Sequence, residues 1–270
     1  MDLYEIYKNG YLISQNIYFD FKNFNQAKEI ILSESKKDDL ILIIEDKSLE
    51  STISIIGSLI SSRSTLLIDL SIARFQLNEI ISKFKPSLIL GSKYSFEFLE
   101  LEINFDTKYF LIKKIKQNPK NKPIPEPLLL LGTSGSSGNT KFVGLTHKNI
   151  YNNCESITSY LENDSSSVSI NNLPCSYSYG LSVLNTTLFK GGKYVISKEK
   201  SFLRNEFWED AKKHNLTDFS GVPTTYKTLI KLNIKKILPK TIKRLTQAGG
   251  KLEVDIQKEL LNLSNKLNFD

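Results

Sequence analysis

The sequence predicts an α/β protein with mixed, largely parallel sheets flanked by helices. Three observations carry this. Short apolar runs, rich in Leu and β-branched residues, recur along the chain at strand length. Amphipathic stretches with helical spacing separate them. Pro and Gly punctuate the joins, where one period gives way to the next. Strand and helix alternating in this way argue for parallel strands covered by helices on both faces.

Phe24, Ala27, Ile30 and Ile31 fall on one helical face. Leu40 to Ile44 is continuous and apolar, so it reads as a buried strand. Leu49, Ile53, Ile56 and Ile60 give a second helical face, and Thr65 to Ile68 a second strand. Leu77, Ile80, Ile81 and Phe84 line a further helix that Pro86 stops. Ser87 to Leu90 reads as a third strand. Gln117 to Pro127, rich in Pro, Asn and Lys, reads as a connector and a possible subdomain junction.

Beyond it, Leu128 to Leu131 is a strand, and Phe142 and Val143 begin a return strand. A helix is expected from about Thr146, as N-cap, to Leu161. Another runs from Gly180 to Phe189 and ends at Gly191-Gly192. Lys193 to Ser197 is a strand, followed by an amphipathic helix, Leu203 to Lys213, whose Phe207 and Trp208 point to the core. Thr217 to Ser220 is a short strand, Pro223 opens the next helix, and a last helix covers about Leu252 to Leu267. No internal repeat is visible.

The 270 residues are enough to bury a core, and 24% charged with 40% apolar residues fits a globular chain. The net charge is +7, but the lysines are dispersed and no basic run alternates with aromatics, which argues against a nucleic-acid face. Two cysteines, Cys154 and Cys175, are too few for a disulfide framework. The acidic start Met-Asp-Leu-Tyr-Glu has no apolar core of a signal peptide, and no apolar run reaches membrane-spanning length. A cytoplasmic protein without an integral membrane segment is expected. Two histidines, His147 and His214, lie far from both cysteines, so no metal site is expected. His147 reads as a helix-start residue, and His214 as a cation at a helix C-terminus.

The segment from Leu128 to Thr146 carries the chemistry. A leucine strand runs into Gly132-Thr-Ser-Gly-Ser-Ser-Gly-Asn-Thr-Lys141. Gly132, Gly135 and Gly138 permit backbone conformations in which several N–H groups point at one anion. Thr133, Ser134, Ser136 and Ser137 add hydroxyl donors, and Lys141 adds a compact positive charge suited to phosphate oxygens. A P-loop would place Lys directly after the last Gly and open a helix; here Asn139 and Thr140 intervene and a strand follows. No Gly-x-Ser-x-Gly elbow in a hydrolase context supports a serine nucleophile.

Thr133 through Lys141 resembles, in order and spacing, the phosphate signature of the adenylate-forming superfamily, which includes acyl-CoA synthetases, peptide-synthetase adenylation domains and luciferases. Leu173 to Leu181 resembles the stretch beside that family's acyl pocket, with Tyr177 where a His or aromatic is usual. Ser220 to Thr224 resembles its Val-Pro stretch, and Arg244 to Leu252 its adenine-facing segment. The resemblance covers nearly the whole chain, and residues 1–270 are read as the N-terminal AMP-binding domain, incomplete at its C-terminal side.

The resemblance implies ATP-dependent activation of a carboxylic acid to an acyl-adenylate, with release of pyrophosphate. A thiol, coenzyme A or the phosphopantetheine arm of a carrier protein, would then accept the acyl group. It assigns the β- and γ-phosphates to Thr133, Ser134, Gly135, Ser136, Ser137 and Gly138, and the leaving pyrophosphate to Lys141 as the catalytic cation. It assigns adenine to Gly249 and Gly250, and the acid to a pocket of Tyr177, Tyr179, Gly180, Val222 and Pro223. Mg²⁺ would arrive with the nucleotide. The family's Tyr-Gly-x-Thr-Glu and Thr-Gly-Asp segments and its C-terminal lysine do not occur, so the chain is expected to be a fragment. Amino-acid adenylation for amide formation and a non-catalytic nucleotide-binding or scaffold module are the alternatives.

Overall fold

A computed structural model describes residues 3–115, 128–133 and 141–267. The chain opens with α1 (Tyr4–Tyr7), the hairpin β1 (Tyr11–Ser14) and β2 (Ile17–Phe19), and α2 (Phe21–Glu34). Next come β3 (Leu40–Glu45), α3 (Leu49–Ile60), β4 (Ser64–Asp69), α4 (Arg74–Phe84), β5 (Leu88–Gly91) and α5 (Lys93–Phe98). Two short strands, β6 (Phe105–Asp106) and β7 (Leu111–Lys114), precede the paired β8 (Leu129–Thr133) and β9 (Lys141–Leu145). The remainder runs α6 (His147–Tyr160), β10 (Val168–Ile170), α7 (Ser178–Phe189), β11 (Lys193–Ile196), α8 (Asn205–Lys213) and β12 (Asp218–Gly221). It finishes with α9 (Pro223–Lys231), α10 (Ile234–Ile237), β13 (Arg244–Gln247) and α11 (Val254–Leu267).

The strands form a seven-stranded sheet in the order β6-β7-β5-β3-β4-β8-β9, a four-stranded sheet β10-β11-β1-β2, and the pair β12-β13. In the large sheet β5, β3, β4 and β8 are parallel, and β6, β7 and β9 run antiparallel at the two edges. The sheets are therefore mixed and largely parallel, as the sequence predicts. Segment 117–127, the possible junction, lies outside the described residues; the strands before and after it, β7 and β8, share one sheet.

Side-chain alternation builds the layers. All six residues of β3 are buried. Ile41 and Ile43 face a core shared with α2, α3, α7 and the inner side of the small sheet. Leu40, Leu42 and Ile44 face a second core with α4 and α5. A third core, holding Phe207, Trp208, Phe219 and Tyr226, fills the space beyond the small sheet. Helices thus cover both faces of a strand buried on both sides, which explains why its sequence is continuously apolar rather than alternating.

Local signals fix the boundaries. Thr146 caps α6 and shares a reciprocal capping box with Asn149. Pro223 opens α9, where a missing N–H costs nothing. Lys85, left-handed at φ 50°, ends α4 just before Pro86. The β1–β2 hairpin turns through Gln15 and Asn16, both at positive φ. No described helix is long and apolar enough to cross a membrane.

Candidate active site

Parallel strands leave a crevice outside their carboxyl ends, and ligands collect there. β3, β4 and β8 end together: Glu45 pairs in register with Asp69, and Leu67 with Leu131. β8 then pairs with β9 so that Thr133 lies opposite Lys141. The glycine- and serine-rich loop therefore springs from this edge, with the Lys141 backbone anchored across from its first hydroxyl residue. Ser134, Gly135, Ser136, Ser137 and Gly138 lie outside the described residues.

Beside the loop's root sits a group of acids that the motif reading missed. Glu45 is 1% exposed. Its Oε1 accepts the Lys47 amide N–H at 2.8 Å, and the Ser176 hydroxyl lies 3.5 Å from Oε2 and 3.3 Å from Asp69 Oδ2. Burial, then the charges of Asp69 and Asp46, push its carboxyl up to about 7 against the pull of the Lys47 amide. Asp46 goes the other way. Burial alone would raise it, but hydrogen bonds from Ser48 and Ser92 and the charge of Lys200 hold it below the ordinary carboxylate value. Lys47 bonds to the Asn172 and Lys200 carbonyls and ties this edge to the small sheet's side of the molecule. Burial lowers its ammonium, assisted by Lys200.

A cavity of about 720 Å³ joins the hairpin base, at Leu131 and Leu145, to the far wall at Tyr177, Tyr179 and Gly249. Tyr177 caps α7 in an extended conformation, and its amide bonds to the Pro174 carbonyl. Gly180 follows because the chain doubles back tightly: a Cβ there would lie 2.1 Å from the Pro174 carbonyl oxygen. Gly249 has φ +84°, and a Cβ on it would lie 2.5 Å from the Tyr177 hydroxyl and 3.3 Å from Val222 Cγ1. Pro223 packs in the same manner against Gly250. Tyr177, Val222, Pro223, Gly249 and Gly250 thus lie together, although the resemblance assigns the two glycines to adenine and the other three to the acid pocket. Tyr177, Tyr179 and Gly249 line the cavity, whereas Gly180, Val222, Pro223 and Gly250 are not part of its lining.

The far wall is a chain of hydroxyls. β12 and β13 place Ser220 beside Thr246, with their oxygens 2.8 Å apart. Tyr179 from α7 reaches the same Thr246 oxygen at 2.8 Å. Burial raises the Tyr179 phenol, against the pull of the Thr246 hydroxyl it bonds and of the nearby Ser220 hydroxyl. Below, the buried Tyr226 hydroxyl donates to the Phe219 and Thr246 carbonyls and fixes both strands. Asn172 donates to the Ser220 carbonyl at 2.9 Å. The wall's acid, Asp218, is held by Arg244 Nε at 2.6 Å.

Other candidates fall into structural places. His147 Nε2 lies 3.2 Å from the Ser62 hydroxyl at the first turn of α6. His214 caps the end of α8, but burial and two nearby lysines push its imidazole down, against the expected cation. Cys154 and Cys175 are free and buried, and burial pushes the Cys154 thiol up to about 12. Among the described residues, no group of three His, Cys, Asp or Glu is placed to hold a metal ion.

A family model described as AMP-binding enzyme matches residues 30–267. The chain is 31% identical over 140 residues to acyl-CoA synthetase FUM10 of Gibberella moniliformis, a stretch that covers 51% of this chain and 25% of that protein. It aligns with the o-succinylbenzoate coenzyme A synthetase of Bacillus subtilis, solved with AMP, at TM-score 0.73 and 16% identity, over 99% of this chain and 56% of that one. A luciferase-like enzyme from the nonluminescent mealworm Zophobas morio gives TM-score 0.72 at 16% identity, over 98% of this chain and 69% of that chain. At such identities the structural likeness establishes the fold, and the chain spans only part of each relative's length. Because the family model covers most of the sequence, the chain belongs to the AMP-binding, adenylate-forming enzyme family.

Proposed function

We propose that the protein to which this chain belongs activates a carboxylic acid with ATP and passes the acyl group to a thiol. The observation that carries this reading is the β8–β9 hairpin. It sets Lys141 opposite Thr133 at the root of the glycine- and serine-rich loop, and Leu131 and Leu145 of the same hairpin line a cavity large enough for an acid. Residues 1–270 act in this reading as the N-terminal AMP-binding domain of a larger cytoplasmic enzyme.

In the first step a carboxylate oxygen attacks the α-phosphorus of ATP. The bond from that phosphorus to the bridging oxygen breaks, and pyrophosphate leaves with the electron pair. The protein contributes position and charge rather than covalent chemistry. Thr133, Ser134, Ser136 and Ser137, with the amides of Gly135 and Gly138, would hold the β- and γ-phosphates. Lys141 would stabilise the negative charge that grows on the leaving pyrophosphate. The adenine would lie on the backbone of Gly249 and Gly250, on the side away from Tyr177, Val222 and Pro223, which fill the space where side chains would stand. Tyr177 and Tyr179 would wall the acid, with Gly180, Val222 and Pro223 shaping the turns behind them. Magnesium travels with the phosphates of ATP as part of the substrate, and no step is assigned to a protein-bound ion. In the second step the thiol sulfur of coenzyme A, or of a carrier protein's phosphopantetheine, attacks the acyl carbon. AMP departs and the thiol proton is lost.

The test is exchange of labelled pyrophosphate into ATP by the full-length protein, with a panel of acids. Acid-dependent exchange, followed by thioester formation when coenzyme A or a carrier protein is added, is the expected result. ATP binding with no exchange for any acid would overturn the reading.

A further inference from the structure

Resting on the adenylation reading, we propose that the acid is a monocarboxylate whose chain carries an uncharged hydrogen-bonding group such as a hydroxyl, keto or amide, and that Tyr179, Ser220 and Thr246 recognise it. Three features of the cavity carry this.

The first is the state of its hydroxyls. Ser182, Thr186 and Thr187 also line the cavity, but each donates back to a carbonyl of α7 at 2.7–2.8 Å, so their protons are committed. The hydroxyls of Tyr179, Thr246 and Ser220 bond, among the described residues, to one another. Three hydroxyls bring three donors and six lone pairs, and their two mutual bonds leave one donor and four lone pairs to face the ligand. An alkyl chain pressed against this wall would strand that donor, whereas a hydroxyl or carbonyl would satisfy it.

The second feature is charge. No Lys, Arg or His is among the described residues that line the cavity, so a second carboxylate would find no counter-ion there. The one acid, Asp218, is 6% exposed and already paired with Arg244, so an ammonium would find its charge taken. The third feature is Asn163, which also lines the cavity. Its Oδ1 is buried and has no hydrogen-bond partner among the described residues, which leaves an acceptor for a ligand O–H or N–H.

The experiment titrates non-hydrolysable acyl-sulfamoyladenosines into the full-length protein by calorimetry. The series is a hexanoyl chain, the same chain with a hydroxyl walked along it, and forms that end in a carboxylate or an ammonium. Sulfamoyladenosine without an acyl group is the baseline. At least one hydroxylated member is expected to bind about tenfold or more tighter than the plain, carboxylate and ammonium members. That ratio is expected to collapse towards unity in Tyr179→Phe and Thr246→Val, and to survive in Thr246→Ser, which keeps the hydroxyl. A plain chain that binds as well as every hydroxylated one, a charged member that binds best, or a ratio unchanged in both variants would overturn the proposal. If sulfamoyladenosine itself fails to bind, the adenylation reading falls and this proposal falls with it. If it binds and the acyl members show no preference, only the proposal falls.

Discussion

Replacing Glu45 with Gln is expected to stabilise the protein at pH 8 and to leave it unchanged near pH 4. Glu45 closes a strand whose six residues are all buried, and its carboxyl shares the Ser176 hydroxyl with Asp69. Its ordinary value of 4.5 is raised to about 7 by burial, reinforced by Asp69 and Asp46. Below 4.5 the group is protonated whether the chain is folded or not, and it costs nothing. Between 4.5 and about 7 the unfolded chain releases the proton while the folded one keeps it, so stability falls as pH rises. Above 7 the loss is complete. At about 1.36 kcal/mol per pH unit, the interval corresponds to roughly 3 kcal/mol. The side chain is 1% exposed, so solvent screening takes little from that figure. Gln keeps an oxygen for the Lys47 amide and removes the charge. Asp46, held low, adds stability as pH rises and opposes the trend, but it is common to both proteins and drops out of their difference. Urea unfolding of parent and Glu45→Gln at pH 4 and pH 8 reads that difference. A variant equally stable or less stable than the parent at pH 8 would refute the reasoning.

Three further outcomes follow from the geometry. Lys141→Ala is expected to lower pyrophosphate exchange by about 10²–10³-fold, in the range seen for the loss of one transition-state charge contact, as steady-state exchange rates would show. Gly249→Ala forces a side chain to φ +84° and against the Tyr177 hydroxyl, so thermal unfolding should register a loss of about 1–2 kcal/mol, smaller in a Tyr177→Phe background where that hydroxyl is gone. Gly180→Ala meets a backbone oxygen at 2.1 Å and should unfold the start of α7, whereas Gly250→Ala meets only a Pro223 ring carbon at 3.3 Å and should be mild; circular dichroism melts of the two variants compare them.

The sequence made some elements legible and hid others for physical reasons. Strands buried on both faces announce themselves as unbroken apolar runs, and β3 is the clearest case. Helix ends were legible where Thr146, Pro223 and Gly191 carry the required cap, missing N–H or positive φ. β1, β2, β6, β7, β10 and β13 were not, since each is at most four residues long and its partners lie elsewhere in the chain. β1 pairs with β11, a partner some 180 residues distant, by register Tyr11 to Lys193. The candidate site divides in the same way. Lys141 stood out by its type and spacing in a loop of glycines and hydroxyls, whereas Tyr177, Tyr179 and Gly249 stood out only through the family resemblance. The Tyr179–Thr246–Ser220 chain did not, because it exists only through the β12–β13 register and the approach of α7. Glu45 and Asp69 become neighbours only when β3 and β4 align, although an acid ending an apolar strand was a signal available at Glu45.

Adenylate formation is tested most directly by carboxylate-dependent exchange of labelled pyrophosphate into ATP on the full-length protein. Exchange that requires an acid, favours hydroxyl- or amide-bearing chains and fails in Lys141→Ala is the expected result. Measurable ATP binding with no exchange for any fatty, aromatic, hydroxylated or amino acid would contradict it, and would point to a nucleotide-binding module without this chemistry.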